Sequence, residues 1–152
     1  MNNIVLEVLQ RDLKSLSREI EMVYNDEDLW VTLPGISNSI GNLTTHLCGN
    51  LRHFIGHVIG GSNYQRQRDL EFSVSGLPAK NLQELILTTK EEVENAMNLF
   101  DPSSGSKSYP LEIAGRSTTY HGALIILCTH LSYHIGQVNY LRRIISKSDS
   151  NE

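Results

Sequence analysis

Two histidines four residues apart, His130 and His134, have the residue type and the spacing best suited to chemistry in this chain. They lie in the stretch 130–137, HLSYHIGQ, on the same three-and-four stripe as neighbouring apolar residues. On an α-helix, positions i and i+4 lie one above the other, with Cβ atoms roughly 6 Å apart. Two neutral imidazoles at that spacing can bind one transition metal ion together. The alternative interpretation is a pair of hydrogen-bonded core histidines.

A metal site needs a third ligand from another helix, because a single helical pair supplies only two. His46, His53 and His57 are the candidates on the second predicted helix, where they share one flank. His53 and His57 also form an i, i+4 pair of their own, and helical periodicity does not choose among the three. His121 precedes His130 by about 900° of helical rotation, which predicts that it faces away from the pair.

Apolar residues that recur every three or four positions predict four amphipathic helices. Their predicted ranges are about 3–25, 37–60, 81–100 and 119–146. Ser37 or Asn38 is expected to cap the second helix, and Gly60 with Gly61 to end it. The pattern predicts an all-α fold, a four-helix bundle, as a single domain over residues 1–152.

The connections between these helices are long. Residues 62–80 are predicted to be a long polar loop, and residues 109–119 a short hairpin before the last helix. Residues 146–152 are expected to be a polar, frayed end. Connections of this length allow crossovers, so a simple up-down-up-down order is not required.

Composition and charge exclude several classes of protein. The 152 residues carry a net charge of -4, which argues against a nucleic-acid binder. The longest strongly apolar run, residues 123–128, is far too short to cross a membrane. The N-terminus has no basic region and no small-residue cleavage site, and two cysteines do not make a disulfide framework. We therefore expect a reduced, cytoplasmic protein.

Three blocks of sequence resemble those of a known family, the DinB-like superfamily. Residues 39–52, SIGNLTTHLCGNLR, are similar to its second-helix motif, and residues 130–138, HLSYHIGQV, to its last-helix motif. Residues 65–72, QRQRDLEF, resemble a segment that one branch carries after the second helix. The blocks lie in the expected order, and together they are more specific than the histidine pair alone.

The resemblance implies a four-helix bundle with crossover connections, commonly a homodimer, and a divalent metal, most often zinc or nickel, held by three histidines. Carried over to this sequence, the metal ligands are His46, His130 and His134. His53 and His57 match no ligand position in the motif and are assigned to the surface or to a cleft. The leucine repeat of the first helix could serve either a dimer partner or the chain's own core.

The resemblance also implies a function. Some relatives are thiol S-transferases that act with mycothiol, bacillithiol or glutathione, and a related group isomerises maleylpyruvate. We expect a metal-dependent thiol S-transferase that joins a low-molecular-weight thiol to an electrophile, in a stress or detoxification role. The alternatives are a metal-binding dimeric bundle without catalysis, and a metal-dependent hydrolase.

Polar residues near the histidines complete the predicted site. Asn50 and Gln137 lie about one turn from His46 and His134, where they could orient a ligand imidazole or a substrate. Arg66, Arg68 and Glu71 are expected to anchor the long loop by ion pairs, and the two arginines could instead hold an anionic substrate. No carboxylate beside the histidine motifs is predicted to act as a base. Cys48 and Cys128 are expected to be buried small residues rather than ligands.

Overall fold

The computed structural model describes residues 2–148 and contains no β-strand in that part of the chain. The helices, in chain order, are α1 (Asn2–Glu21), α2 (Ile40–Leu51), α3 (Arg68–Ser73), α4 (Ala79–Leu99) and α5 (Tyr120–Ser148). The predicted all-α class is confirmed, and the four long helices match the four predicted from periodicity. The last four residues of the predicted frayed end, 149–152, lie outside the described residues.

The packing of the four long helices confirms the crossover connections. Among these four helices, α1 packs against α4 and α5, and α2 packs against the same two. α1 and α2 therefore occupy diagonal positions, as do α4 and α5. Consecutive helices in an up-down-up-down bundle are neighbours instead. This arrangement matters for the site because it brings α2 directly against α5.

The leucine repeat of α1 belongs to the chain's own core. Leu9, Leu13, Leu16 and Ile20 are completely buried between α1 and the helices that it contacts. Burying such side chains is the dominant stabilising contribution in a bundle, about 1.5–3 kcal/mol for each fully buried residue. The structure thus assigns this stripe to the core, and it leaves none of these four side chains to serve a dimer partner.

The connection between α2 and α4 differs from the predicted long loop, because it contains the short helix α3. Six polar-rich residues give little periodic signal, and the apolar side chains of Leu70 and Phe72 remain partly exposed. Contacts with α2 hold the segment in place instead. The Asn42 amide donates to the backbone oxygen of Val74, at 2.9 Å, and the Thr45 hydroxyl donates to that of Glu71, at 2.6 Å.

Helix α2 begins one or two residues later than predicted and ends in an unusual turn. Ser39, rather than Ser37 or Asn38, is the N-cap, and its hydroxyl oxygen accepts a hydrogen bond from the Asn42 backbone N–H at 3.1 Å. After Leu51 the helix widens into a π-helical turn, Arg52–His57. Such turns are rare in helices and are frequently found at functional sites.

The predicted hairpin before α5 is present as a turn with two isolated bridges rather than as strands. Ser108 pairs with Thr119, and Ile113 pairs with Arg116. The turn between them places Ala114 at a φ of 52°, a conformation that residues other than glycine seldom adopt. The segment is too short for a regular ladder, but it carries Ile113 and Ala114 to the wall of the main cavity.

None of the helices within residues 2–148 combines the length and the apolar character needed to cross a lipid bilayer.

Two glycines in helices should respond to alanine in opposite directions. A β-carbon at Gly41 would lie 2.6 Å from the Trp30 ring, which is anchored by a 2.9 Å hydrogen bond to the Leu77 oxygen. We expect Gly41→Ala to lower the free energy of unfolding by about 1–3 kcal/mol through overpacking. At Gly136 in α5 an added β-carbon would have no atom within 4 Å. Gly136→Ala should therefore raise the free energy of unfolding by up to about 1 kcal/mol, because alanine favours the helix over glycine. Urea unfolding of both variants measures this, and equal effects at the two positions would contradict the packing described.

Candidate metal centre

Three histidines converge where α2 meets α5. His46 extends from α2, and His130 and His134 extend from adjacent turns of α5. One ring nitrogen of each lies within 4.8 Å of the others, a grouping that could hold a metal ion. The Nε2 atoms of His46 and His130 are 3.2 Å apart. Two nitrogens bound to one tetrahedral zinc ion stand roughly 3.3 Å apart, so this pair already has the spacing of zinc ligands.

The protein fixes the orientation of two of these rings through their other nitrogens. The Nδ1–H of His46 donates to Glu71 Oε2 at 2.9 Å, and that of His134 donates to Gln137 Oε1 at 2.6 Å. In each ring the lone pair is therefore left on Nε2. Metal-ligating histidines almost always donate their second ring nitrogen in this way, which sets the tautomer and raises ligand basicity.

Glu71 is a fixed acceptor because its carboxylate accepts three hydrogen bonds from two side chains. Besides the His46 ring, the Arg66 guanidinium donates twice, at 2.7 and 2.8 Å. Burial would raise the pKa of Glu71, but these hydrogen bonds outweigh it and leave the pKa below its ordinary value. Gly49 makes room for the carboxylate, since a β-carbon there would stand only 2.2 Å from Glu71 Oε1.

The rings of His130 and His134 are neutral near pH 7. Burial, together with charge repulsion from the neighbouring imidazoles, lowers the pKa of His130 to about 4. Burial also lowers the pKa of His134, although its hydrogen bond to Gln137 acts in the opposite direction. Neutral imidazole is the form that binds a metal ion, so these two histidines are available as ligands without losing a proton.

One side of the histidine group faces a cavity of about 580 Å³, within the range of small-molecule sites. Its wall combines the three histidines and two arginines with apolar side chains such as Phe54 and Leu127. Three protein ligands with an open side are typical of catalytic zinc sites, whereas structural sites are closed by a fourth protein ligand.

Asn50 also lines this cavity, and its side-chain carbonyl oxygen is an unpaired acceptor in the described part of the chain. The residue is 8% exposed, and its Oδ1 atom finds no hydrogen-bond partner within residues 2–148. A buried acceptor without a partner costs about 1–3 kcal/mol, so such groups are found where a ligand or an ordered water completes them. Asn50 and Gln137, the two amides predicted to support the site, thus differ in their contacts, since Gln137 binds the His134 imidazole and Asn50 lines the cavity.

The remaining histidines lie apart from the group. The rings of His53 and His57 stack on each other at 6.0 Å on the π-helical turn, and His57 Nδ1 donates to the Ser62 oxygen. Neither lines the cavity, nor does His121. The cysteines lie outside it as well, and burial raises the pKa of Cys48 to about 12 and that of Cys128 to about 11.

The role of Glu71 was not predicted from the sequence. The ion pair with Arg66 agrees with the expected anchoring of the loop, but the same carboxylate also orients His46, which is 25 positions away in sequence. Spacing along a helix carries no information about such a contact. A signal was present in Gly49, one of the glycines of the second-helix motif, whose missing side chain is what admits the carboxylate.

Comparison with known proteins identifies the family. The model of the family described as "Protein of unknown function (DUF1572)" matches residues 3–151, nearly the whole chain. This family is grouped in the DinB/YfiT-like clan, which agrees with the resemblance of the three sequence blocks. No curated protein is similar enough to the chain to count as a match. The chain is therefore a member of the DUF1572 family.

Proposed function

We propose that this protein is a metal-dependent thiol S-transferase that joins a low-molecular-weight thiol to an electrophilic carbon. The observation that carries the proposal is the group of three imidazoles that is open on one side to a cavity. The proposed metal ligands are His46, His130 and His134, and zinc or nickel suits a set of nitrogen ligands. Glutathione, bacillithiol and mycothiol are examples of the thiol class.

The chemistry supplied by the metal when bound is a lower pKa for the substrate thiol, so that the nucleophilic thiolate forms near neutral pH. The new carbon–sulfur bond forms as the electrophile's leaving group departs with its electron pair, and the thiol proton passes to solvent. The chain's own residues hold the ligand rings, through Glu71 and Gln137, and exclude water with the apolar wall around Phe54.

The lack of a free carboxylate at the cavity, among the described residues, favours thiol transfer over hydrolysis. A metallohydrolase uses a free carboxylate next to its metal as the general base for the attacking water. No acidic side chain of residues 2–148 lines the cavity. The nearest one, Glu71, is engaged by Arg66 and by the His46 ring, and its lowered pKa makes it a weak base. A thiol needs no such base once its own pKa is lowered.

Asn50 supplies the polar contact that a bound substrate would complete. Asn50 lines the cavity, and its Oδ1 atom is a buried acceptor that has no donor among residues 2–148. An N–H or O–H of the thiol substrate would satisfy it and so orient the sulfur toward the histidines. Hydrogen bonds of this kind give specificity, because a substrate without the donor leaves the acceptor unpaired.

We also propose that the protein is a homodimer, through an exposed face of α5 rather than through α1. Ile125, Tyr133 and Tyr140 are 53%, 65% and 72% exposed and lie within one side of the helix. Adjacent exposed apolar and aromatic side chains mark interaction surfaces, and tyrosine is enriched in them. Such a face suits an isologous contact between two copies.

Loss of a ligand should abolish transfer. We expect purified protein loaded with zinc or nickel to consume a low-molecular-weight thiol in the presence of an alkylating electrophile and to produce the thioether. His134→Ala should lower the rate at least tenfold and reduce metal content, because two imidazoles hold an ion weakly. His57→Ala, which removes an exposed histidine outside the cavity, is the control and should change neither value. Thioether formation by mass spectrometry and metal content by elemental analysis provide the two measurements.

Two results would count against this proposal in different ways. Protein that holds one metal ion per chain but turns over no thiol across a broad panel would support a binding function without catalysis. Protein that retains no metal after reconstitution would show that the three histidines are not a metal site.

Glu71 should support metal affinity without being a ligand. We expect Glu71→Gln to weaken zinc binding about tenfold to a hundredfold, because the amide holds His46 less firmly and lowers its basicity. Glu92→Gln is a matched control, since Glu92 also accepts two hydrogen bonds from an arginine, Arg52, at 2.7 and 3.1 Å, but touches no histidine of the site. Competition titration with a zinc chelator measures both, and equal affinities for the two variants would refute the role of Glu71.

The dimer can be tested on the exposed face of α5. Light scattering at micromolar concentration should give twice the chain mass of 17.1 kDa. Tyr140→Asp should shift it to the single-chain mass, because a charge in an apolar interface is poorly solvated. Tyr24→Asp alters a residue that is 96% exposed outside α5 and should leave the mass unchanged. A monomeric unsubstituted protein would end the dimer proposal.

A further inference from the structure

The charge of the cavity wall is opposite to the charge of the chain. The sequence has a net charge of -4, yet two arginines and no acidic residue line the cavity within the described part of the chain. The three histidines add no negative charge, and a divalent ion held by them would add positive charge. A cavity of one sign concentrates ligands of the other sign.

The two arginines differ in their availability. Arg66 is neutralised, since both oxygens of Glu71 accept from its guanidinium and the pair is largely buried. Arg68 has no carboxylate partner among residues 2–148 and is exposed at the wall of the same cavity. A guanidinium has five N–H donors in a planar fork that matches a carboxylate.

The position of Arg68 is tied to the histidine group through one aromatic ring. Its guanidinium lies over the Phe72 ring, 5.6 Å from the centroid, and the Phe72 ring is 4.8 Å from the His46 ring. A cation–π contact of this kind restrains a guanidinium while leaving N–H groups free to donate. A single ring thus separates the free cation from the first proposed ligand.

We propose that the thiol substrate carries a carboxylate, which Arg68 binds while the sulfur lies at the histidines. Arg68 is then a specificity-determining residue, and the preferred substrates are anionic thiols rather than uncharged ones. This inference rests on the proposed thiol-transfer function and narrows its substrate class. Apolar wall residues such as Phe54 and Leu127 suit the hydrocarbon segment between the two polar ends.

The test measures binding rather than turnover. Cobalt(II) replaces zinc in the purified protein, and thiol binding is followed by the sulfur-to-cobalt charge-transfer absorption. The probes are mercapto-carboxylates from mercaptoacetate to mercaptohexanoate, each paired with its uncharged amide. The quantity compared between proteins is the carboxylate preference, the Kd of the amide divided by the Kd of the acid. Comparing this ratio between variants cancels the difference in thiol acidity within each pair.

We expect the carboxylate preference to be greatest at one chain length and to fall roughly threefold to tenfold in Arg68→Gln, as suits a charged hydrogen-bonded pair at a partly exposed site. Arg68→Lys should keep part of the preference, because it keeps the charge. Arg18→Gln removes an exposed arginine on α1 and should keep all of it. The preference should also decrease with added salt, because exposed charges are screened.

The outcomes separate this inference from the function on which it rests. Thiols that bind cobalt with the same carboxylate preference in Arg68→Gln as in the unsubstituted protein would overturn the role of Arg68 and leave thiol transfer standing. The same holds if no chain length shows a preference in the unsubstituted protein. Failure of cobalt to bind, or of any thiol to perturb its spectrum, would overturn both proposals.

Discussion

The site depends on the 2.9 Å hydrogen bond between His46 and Glu71. It determines which nitrogen of His46 carries its proton and therefore which one faces the other two histidines. It also joins α3 to α2, since Glu71 lies on α3 and its backbone oxygen accepts from Thr45. A buried carboxylate is tolerated only when its lone pairs are satisfied, and here Arg66 and His46 together satisfy them. The same interaction thus orients His46 and attaches α3 to α2.

The bundle topology makes that interaction useful. Because α1 and α2 lie on one diagonal, α2 contacts α5, and His46 meets two histidines that are 84 and 88 positions further along the chain. An up-down-up-down order would instead place α2 next to α1 and diagonally opposite α5, out of contact with it. The same contact leaves one side of the histidine group uncovered, and the turn at Ile113 and Ala114 completes the cavity wall there.

The elements predicted from sequence were those whose signals are local. The stripes of α1, α2, α4 and α5 gave the helices, and the four-residue spacing identified the pair His130 and His134. Periodicity left three candidates for the third ligand, and only the family resemblance singled out His46, the residue that the structure brings to the pair.

What the sequence did not reveal depends on distances between segments. The contact of Glu71 with His46, and the lack of a partner for Asn50 Oδ1 in the described part of the chain, both arise from packing across elements, which no spacing rule describes. Helix α3 gives no periodic signal in the sequence because it is stabilised by contacts with α2 rather than by a buried apolar stripe of its own. The face of α5 and the substrate chemistry of Arg68 remain predictions.

The π-helical turn at the end of α2 allows the cavity wall to change without moving His46. Its wider backbone pattern, with Val58 N–H bonded to the His53 oxygen five positions earlier, accommodates an additional residue within a helix. Gain or loss of one residue here would reshape the wall around Phe54, while His46, six positions before the turn on regular helix, would keep its position. The shape of the cavity is thus separable from the geometry of the histidine group.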